Sequence, residues 1–92
     1  MTLARFTKQP ADTQDYDIDF NEWLTGFADT GASHVVAVDT GITKVASTLT
    51  AGVVKVWLSG GVDGTSYKVT ATLNTTGGRI KQAEITVKVK EV

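Results

Sequence analysis

The sequence contains no cysteine and only one histidine and one proline among its 92 residues. Without cysteine, disulfides, thiol catalysis and thiolate metal sites are excluded. The lone histidine, His34, stands beside Val35 and Val36, which is typical of a strand residue rather than of a metal ligand or base. The longest aliphatic run is "VVAV", far below the ~20 residues of a membrane-spanning helix. We therefore expect neither a metal centre nor a membrane partner.

The sequence also has no large excess of either charge, because its formal net charge is −1. A nucleic-acid binder would show a basic face, so we expect no nucleic-acid partner. The two signs are nevertheless separated along the chain, with acidic residues crowding the first half and cations crowding the segment Arg79–Lys90. These segments either attract each other within one molecule or form a head-to-tail surface between copies. We favour the first, because an exposed ion pair contributes only about 0–1 kcal/mol.

Hydrophobic residues recur with a period of two, which predicts an all-β protein. In "AEITVKVKE" every second residue is apolar, and "SYKVTATL", "VVKVWL" and "DYDIDF" repeat the pattern. With "LARFTKQ", "ASHVVAV" and "ITKVASTL" they give about seven short strands, the number typical of an immunoglobulin-like β-sandwich with antiparallel strands. The one helical prediction is a single turn around Asn21–Leu24. We expect one domain over residues 1–92.

Glycine-rich segments separate these strands. "NTTGGR" predicts a hairpin between Tyr67–Asn74 and Arg79–Lys90, and "SGGVDGTS" supplies another turn. Tyr67 follows that turn directly, as the corner tyrosine of immunoglobulin-like domains does, so its hydroxyl should bond backbone near Asp63. The lone proline, Pro10, predicts that residues 1–10 form an edge strand or an arm.

The tripeptide Asp-Thr-Gly occurs twice, at Asp29 and at Asp39. It opens the active site of aspartic proteases, whose dimeric members have chains of this size. Asp39 is the better candidate, because a hydrophobic strand precedes it. The late aliphatic-aliphatic-glycine segment of that fold is missing, and an intervening strand with ~3.3 Å per residue would hold the two aspartates roughly 30 Å apart. We interpret both tripeptides as turns and keep a dimeric protease using Asp39 as a remote alternative.

Asp15, Asp17 and Asp19 have the spacing of a calcium loop, but Phe20 and Gly26 stand where that loop needs glycine and glutamate. Their alternation with apolar residues indicates one exposed strand face, and weak metal binding is a minor alternative. No serine has the sequence context of an activated nucleophile. We predict a protein that is not an enzyme, with no catalytic residue and no cofactor.

Three side chains are candidates for partner binding: Phe6, Lys8 and Trp57. Trp57 points outward if the alternate residues of its strand fill the core, and inward if it lies beneath a neighbouring loop instead. An exposed tryptophan is a candidate anchor, because Trp, Tyr and Arg dominate binding hot spots. Phe6 could dock on a neighbour if the N-terminal segment is an arm. Trp23 is expected to close one end of the sandwich.

Two long stretches, "FTKQPADTQDYDIDFNEWL" and "VVKVWLSGGVDGTSYKVTATLNTTGGRIKQAEITVKVKE", resemble the small phage proteins described as fiber-tail adaptor proteins. The resemblance is strongest at Lys8–Pro10, Asp15–Leu24 and Val54–Gly64, and looser over Thr25–Gly52. It implies an immunoglobulin-like β-sandwich made in the cytoplasm of a bacterial host and built into the virion of a tailed phage or prophage. There it would join the tail or neck to fibre proteins, and copies of the chain could form a ring. No catalytic motif transfers.

A function of another class also stays open. A free-standing recognition or capsid-decoration module would bind a ligand or a cell-surface glycan through loops such as Gly60–Ser66.

Overall fold

The structure, a computed structural model, describes residues 2–91, so Met1 and Val92 of the predicted domain lie outside the described residues. The described chain forms seven strands and one short helix. In order, these are β1 (Thr2–Lys8), β2 (Gln14–Asp19), α1 (Asn21–Gly26), β3 (Gly31–Val38), β4 (Ile42–Thr50), β5 (Val53–Gly60), β6 (Ser66–Thr75) and β7 (Ile80–Val89).

The strands form two sheets. The four-stranded sheet has the order β1-β7-β6-β3 and the three-stranded sheet the order β2-β5-β4. The chain crosses between them after β1, β2, β3 and β5, which is the connectivity of an immunoglobulin-like sandwich. The predicted fold class is confirmed, as is the hairpin between β6 and β7. One pairing departs from the antiparallel expectation, because β1 runs parallel to β7. No hairpin joins these two ends of the chain, so no tight turn fixes their relative direction.

The core lies between the sheets and is filled by alternate residues of each strand. Val54, Val56 and Leu58 of β5 are fully buried, so the neighbouring Trp57 points outward with 39% of its surface exposed. That is the first of the two orientations considered for this tryptophan. From the opposite sheet the core receives Val69, Ala71, Leu73, Ile85, Val87 and Val89. Burying an aliphatic side chain of this kind contributes about 1.5–3 kcal/mol.

One end of the sandwich is closed by α1, where the sequence predicted a single turn. Phe20 and Leu24 are buried four residues apart, and Trp23 packs partly buried against the same cluster. The ring of Phe27 meets Trp23 edge-on at 5.5 Å between centroids. Trp23, which the sequence analysis placed at an end of the sandwich, is thus packed against the core and against Phe27.

Tyr67 forms the corner predicted from its place after a glycine turn. Its ring is buried, and its hydroxyl accepts a hydrogen bond from the backbone N–H of Val62 at 2.9 Å. This contact ties the loop between β5 and β6 to the start of β6. The loop is held further by Asp63, whose Oδ1 accepts the backbone N–H of Glu91 at 2.9 Å.

We expect Tyr67→Phe to lower the free energy of unfolding by about 1–3 kcal/mol, because the Val62 amide loses its partner while the ring stays in place. Urea denaturation followed by tryptophan fluorescence measures the loss. Tyr16→Phe is the matched control, since the hydroxyl of this second buried tyrosine has no hydrogen-bond partner among residues 2–91. Equal losses in the two variants would contradict a specific role for the corner hydrogen bond.

Candidate protein-binding surfaces

The first Asp-Thr-Gly tripeptide ties the start of β3 to the turn between β6 and β7. Oδ1 of Asp29 accepts the backbone N–H of Thr30 at 2.8 Å and that of Gly77 at 3.0 Å, together with the Thr76 hydroxyl at 3.1 Å. Oδ2 accepts from the Arg79 guanidinium at 2.9 Å. The carboxylate is therefore fully engaged in holding a turn.

The second tripeptide connects the end of β3 to the start of β6. The backbone N–H of Asp39 donates to the Lys68 carbonyl at 3.2 Å, and Oδ2 of Asp39 accepts the Lys68 N–H at 2.8 Å. Gly41 has a φ of +111° and packs against Tyr67, where an added Cβ would lie 2.9 Å from a ring carbon. Glycine is required here both by the backbone angle and by the close approach.

The two aspartates therefore flank opposite ends of the eight-residue strand β3, as the sequence predicted. In the part of the chain that the structure describes, neither carboxylate is hydrogen-bonded to a second carboxylate. Each one accepts backbone N–H groups instead, which is the chemistry of a turn. Sharing one proton between two close carboxylates, as in aspartic proteases, is not possible within a single copy.

We expect Gly41→Ala to destabilise the protein by more than the roughly 1–2 kcal/mol that a left-handed backbone angle costs, because the new methyl group also meets Tyr67. Gly64→Ala is the matched control, since Gly64 has a φ of +85° with nothing within 4 Å of an added Cβ. Thermal unfolding of both variants separates the cost of the backbone angle from the cost of the contact between the new methyl group and Tyr67. A Gly64→Ala loss as large as that of Gly41→Ala would show that packing on Tyr67 contributes nothing.

Asp29 also makes stability depend on pH. The Thr75 hydroxyl, with the Thr30 amide, Arg79 and the Gly77 amide, holds the pKa of Asp29 well below its ordinary value of 3.8. A carboxyl whose pKa is depressed by folding stabilises the protein above its unfolded pKa, and this contribution is lost as the pH falls toward the folded pKa.

Relative to Asp29→Asn, we therefore expect wild-type stability to fall more steeply between about pH 5 and pH 2. Urea denaturation of both proteins across that range measures the difference. A gap between wild type and variant that stays constant with pH would contradict this assignment.

Of the three predicted partner-binding residues, Phe6 and Lys8 lie inside the sandwich. Phe6 is half-buried, with its ring 4.8 Å from that of Tyr16. Lys8 is only 2% exposed, and its ammonium donates to the carbonyls of Gln9 and Gly60, each at 2.7 Å. Burial lowers the pKa of Lys8. Residues 2–8 are thus integrated into the sheet edge, and only Trp57 of the three is on open surface.

Trp57 stands on the outer face of the three-stranded sheet, which is acidic. Asp15, Asp17 and Asp19 of β2 lie on this face beside Lys55 of β5. The Lys55 ammonium is 3.1 Å from Asp15 and 3.8 Å from Asp17, and the hydrogen bond to Asp15 raises its pKa. A protein cation therefore already sits against two of the carboxylates that were considered for weak calcium binding.

The outer face of the four-stranded sheet is basic. Its register brings Arg5 of β1, Lys68 of β6 and Lys88 of β7 to the same side of the sheet, with Glu84 as the one acidic residue in the same rows. Arg5, Thr7, Ser66, Thr86 and Lys88 border a shallow cleft of about 260 Å³, and Phe6 lies at its base.

The four sheet edges differ in how they discourage strand addition. Edges are commonly protected by charged residues, by inward-pointing charges or by bulges. β1 carries Arg5 and the inward-pointing Lys8, β2 carries its aspartates, and β4 is interrupted by a bulge between Lys44 and Ala46. All three edges have a protecting feature.

β3 has none of these features along most of its length. The strand "GASHVVAV" contains no Lys, Arg, Asp or Glu, and its register with β6 is regular from Ser33 to Val38. Val35 is 61% exposed at its centre. Two side chains of β4 reach this strand in the described part of the chain: the Lys44 ammonium lies 3.5 Å from the Val36 carbonyl, and the Ser47 hydroxyl is hydrogen-bonded to Nε2 of His34 at 3.0 Å. The uncharged run is visible in the sequence, but its position at an edge is not.

Among residues 2–91 there is no group of three or more His, Cys, Asp or Glu side chains placed to hold a metal ion. Over the same residues, no helix is long and apolar enough to cross a membrane.

Comparison with known proteins gives one match. The profile of the family described as "Podophage GP4 fiber-tail adaptor protein gp77" matches residues 8–88, nearly the whole chain. The match covers β2, α1, β3, β4, β5 and β6 completely and most of β7. No match was found among the curated proteins. On this match, the chain belongs to the podophage GP4 fiber-tail adaptor family.

Proposed function

We propose that the chain is a non-enzymatic structural protein that joins the tail or neck of a tailed phage or prophage to its fibre proteins, and that β3 receives a strand of one of these partners. The observation that carries the proposal is the unprotected edge at Ser33–Val38. Family membership supports the adaptor role, which requires stable contacts with other virion proteins. The protein would be made in the host cytoplasm before it is built into the virion.

Strand addition suits the chemistry of this edge. An incoming strand would take up the unpaired N–H and C=O groups of β3, and backbone hydrogen bonds of this kind supply affinity while alternate side chains supply specificity. Val35 and Ala37 are exposed on the outer face of the sheet and would pack beside the side chains of the added strand. The added strand would displace the weak contact from Lys44 and would lie beside the hydrogen bond between His34 and Ser47.

A non-enzymatic role is supported by the engagement of both Asp-Thr-Gly tripeptides in turns. Trp57 is proposed as a further partner-binding residue, either for these proteins or for another copy of the chain, since its aromatic side chain is exposed on a sheet face. Phe6 and Lys8 are proposed to act by fixing β1 against β2 and β5 rather than by touching a partner.

The test is binding of purified tail and fibre proteins of the same phage to Val35→Lys. A lysine at this position places a charge beside the added strand, and we expect binding to fall at least about tenfold, which corresponds to about 1.4 kcal/mol. Val35 is largely exposed, so the unfolding midpoint should be unchanged, in line with the roughly ±0.5 kcal/mol of ordinary surface substitutions. Isothermal titration calorimetry measures the binding.

Val62→Lys is the matched control, because Val62 is 62% exposed and lies in the loop Gly60–Ser66, outside β3 and outside its register with β6. Wild-type binding by Val35→Lys would contradict strand addition. Loss of binding in Val62→Lys alone would instead favour recognition through that loop.

A further inference from the structure

The two outer sheet faces carry opposite charge. The three-stranded face has three aspartates against one lysine, namely Asp15, Asp17, Asp19 and Lys55. The four-stranded face has three cations against one carboxylate, namely Arg5, Lys68, Lys88 and Glu84. Of these three cations only Lys88 belongs to the basic segment Arg79–Lys90, so strand pairing, and not the order of charges along the chain, brings them onto one face.

These faces cannot neutralise each other within one molecule, because the buried core lies between them. Stacked sheets stand about 10 Å apart, and their outer side chains project away from each other. Lys55 pairs with aspartates of its own face, and Arg79 pairs with Asp29 at the end of the sandwich. Within residues 2–91, Arg5, Lys68 and Lys88 form no ion pair. The attraction within the molecule that the sequence favoured is found between Arg79 and Asp29, but among the described residues Arg5, Lys68 and Lys88 take no part in it.

The two faces also carry groups that attract each other. Trp57 projects from the acidic face directly beside Asp15, its partner in the β2–β5 register. The basic face offers the cleft bordered by Arg5 and Lys88. An indole between two cations is held by cation–π attraction, and the neighbouring carboxylate would pair with the same cations.

We infer that copies of the chain stack head to tail, with the three-stranded face of one on the four-stranded face of the next and Trp57 in the cleft between Arg5 and Lys88. The two contacting surfaces differ, so the interface is heterologous and generates a ring if the rotation closes or an open stack if it does not. The inference goes beyond the proposed adaptor role and does not rest on strand addition to β3.

The experiment uses purified protein alone and two variants, each lacking one of the two surfaces. Trp57→Ala keeps the basic face, and Arg5→Glu with Lys88→Glu keeps the tryptophan face. By sedimentation velocity at about 0.05 M salt, wild type should form species larger than a dimer as concentration rises, and about 0.5 M salt should reduce them. Each variant alone should sediment as a monomer.

Mixing the two variants is the decisive step. One intact interface can form between them, so an equimolar mixture should give a one-to-one heterodimer that grows no further. Lys44→Glu with Lys81→Glu is the control for net charge, since neither cation lies on the stacked faces, and it should assemble like wild type. A wild-type protein that stays monomeric at low salt, or a mixture that stays monomeric, would overturn the inference.

Discussion

The structure depends on the fixation of strand β6 at both of its ends. Its alternate residues Tyr67, Val69, Ala71 and Leu73 are buried, and it pairs with β3 on one side and β7 on the other. At its start, Asp39 takes the Lys68 amide while Gly41 packs on Tyr67, and beyond its end Asp29 holds the β6–β7 turn. Register in a sheet is strongly specified because a slip by one residue would turn every buried side chain outward. The paired Asp-Thr-Gly tripeptides set that register for the central strand.

Fixing β6 determines what remains for function. The core residues are buried and the two aspartates are occupied in turns. The groups still available to bind a partner lie at the sheet edges and on the two outer faces. Three edges carry protecting charges or a bulge, whereas β3 does not. A protein that links other proteins needs separate surfaces that do not compete, and an edge and two faces of opposite charge meet that need on one small sandwich.

Much of the fold followed from local sequence. The alternation of apolar and polar residues predicted the strands, and the glycine-rich turn predicted the β6–β7 hairpin. The position of Tyr67 after a turn predicted its hydrogen bond to the backbone. The orientation of Trp57 was left open, because both faces of β5 are rich in apolar residues and periodicity cannot choose between them. Lys8 was placed on a binding surface, since a lysine in a terminal segment is ordinarily solvated. In the structure the carbonyls of Gln9 and Gly60 satisfy its ammonium, and Gly60 is far away in the sequence.

The sequence by itself determined which segments are strands and where the turns fall, because both depend on neighbours within a few residues. It also determined that the two Asp-Thr-Gly aspartates are separated by a strand. Only the tertiary structure decided which strands are edges, which charges share a face and what each aspartate binds. Those properties depend on strand order, which arises from contacts between residues far apart in the chain. The parallel pairing of β1 with β7 is the plainest case, since it joins the two ends of the described sequence and leaves no signature in either segment alone.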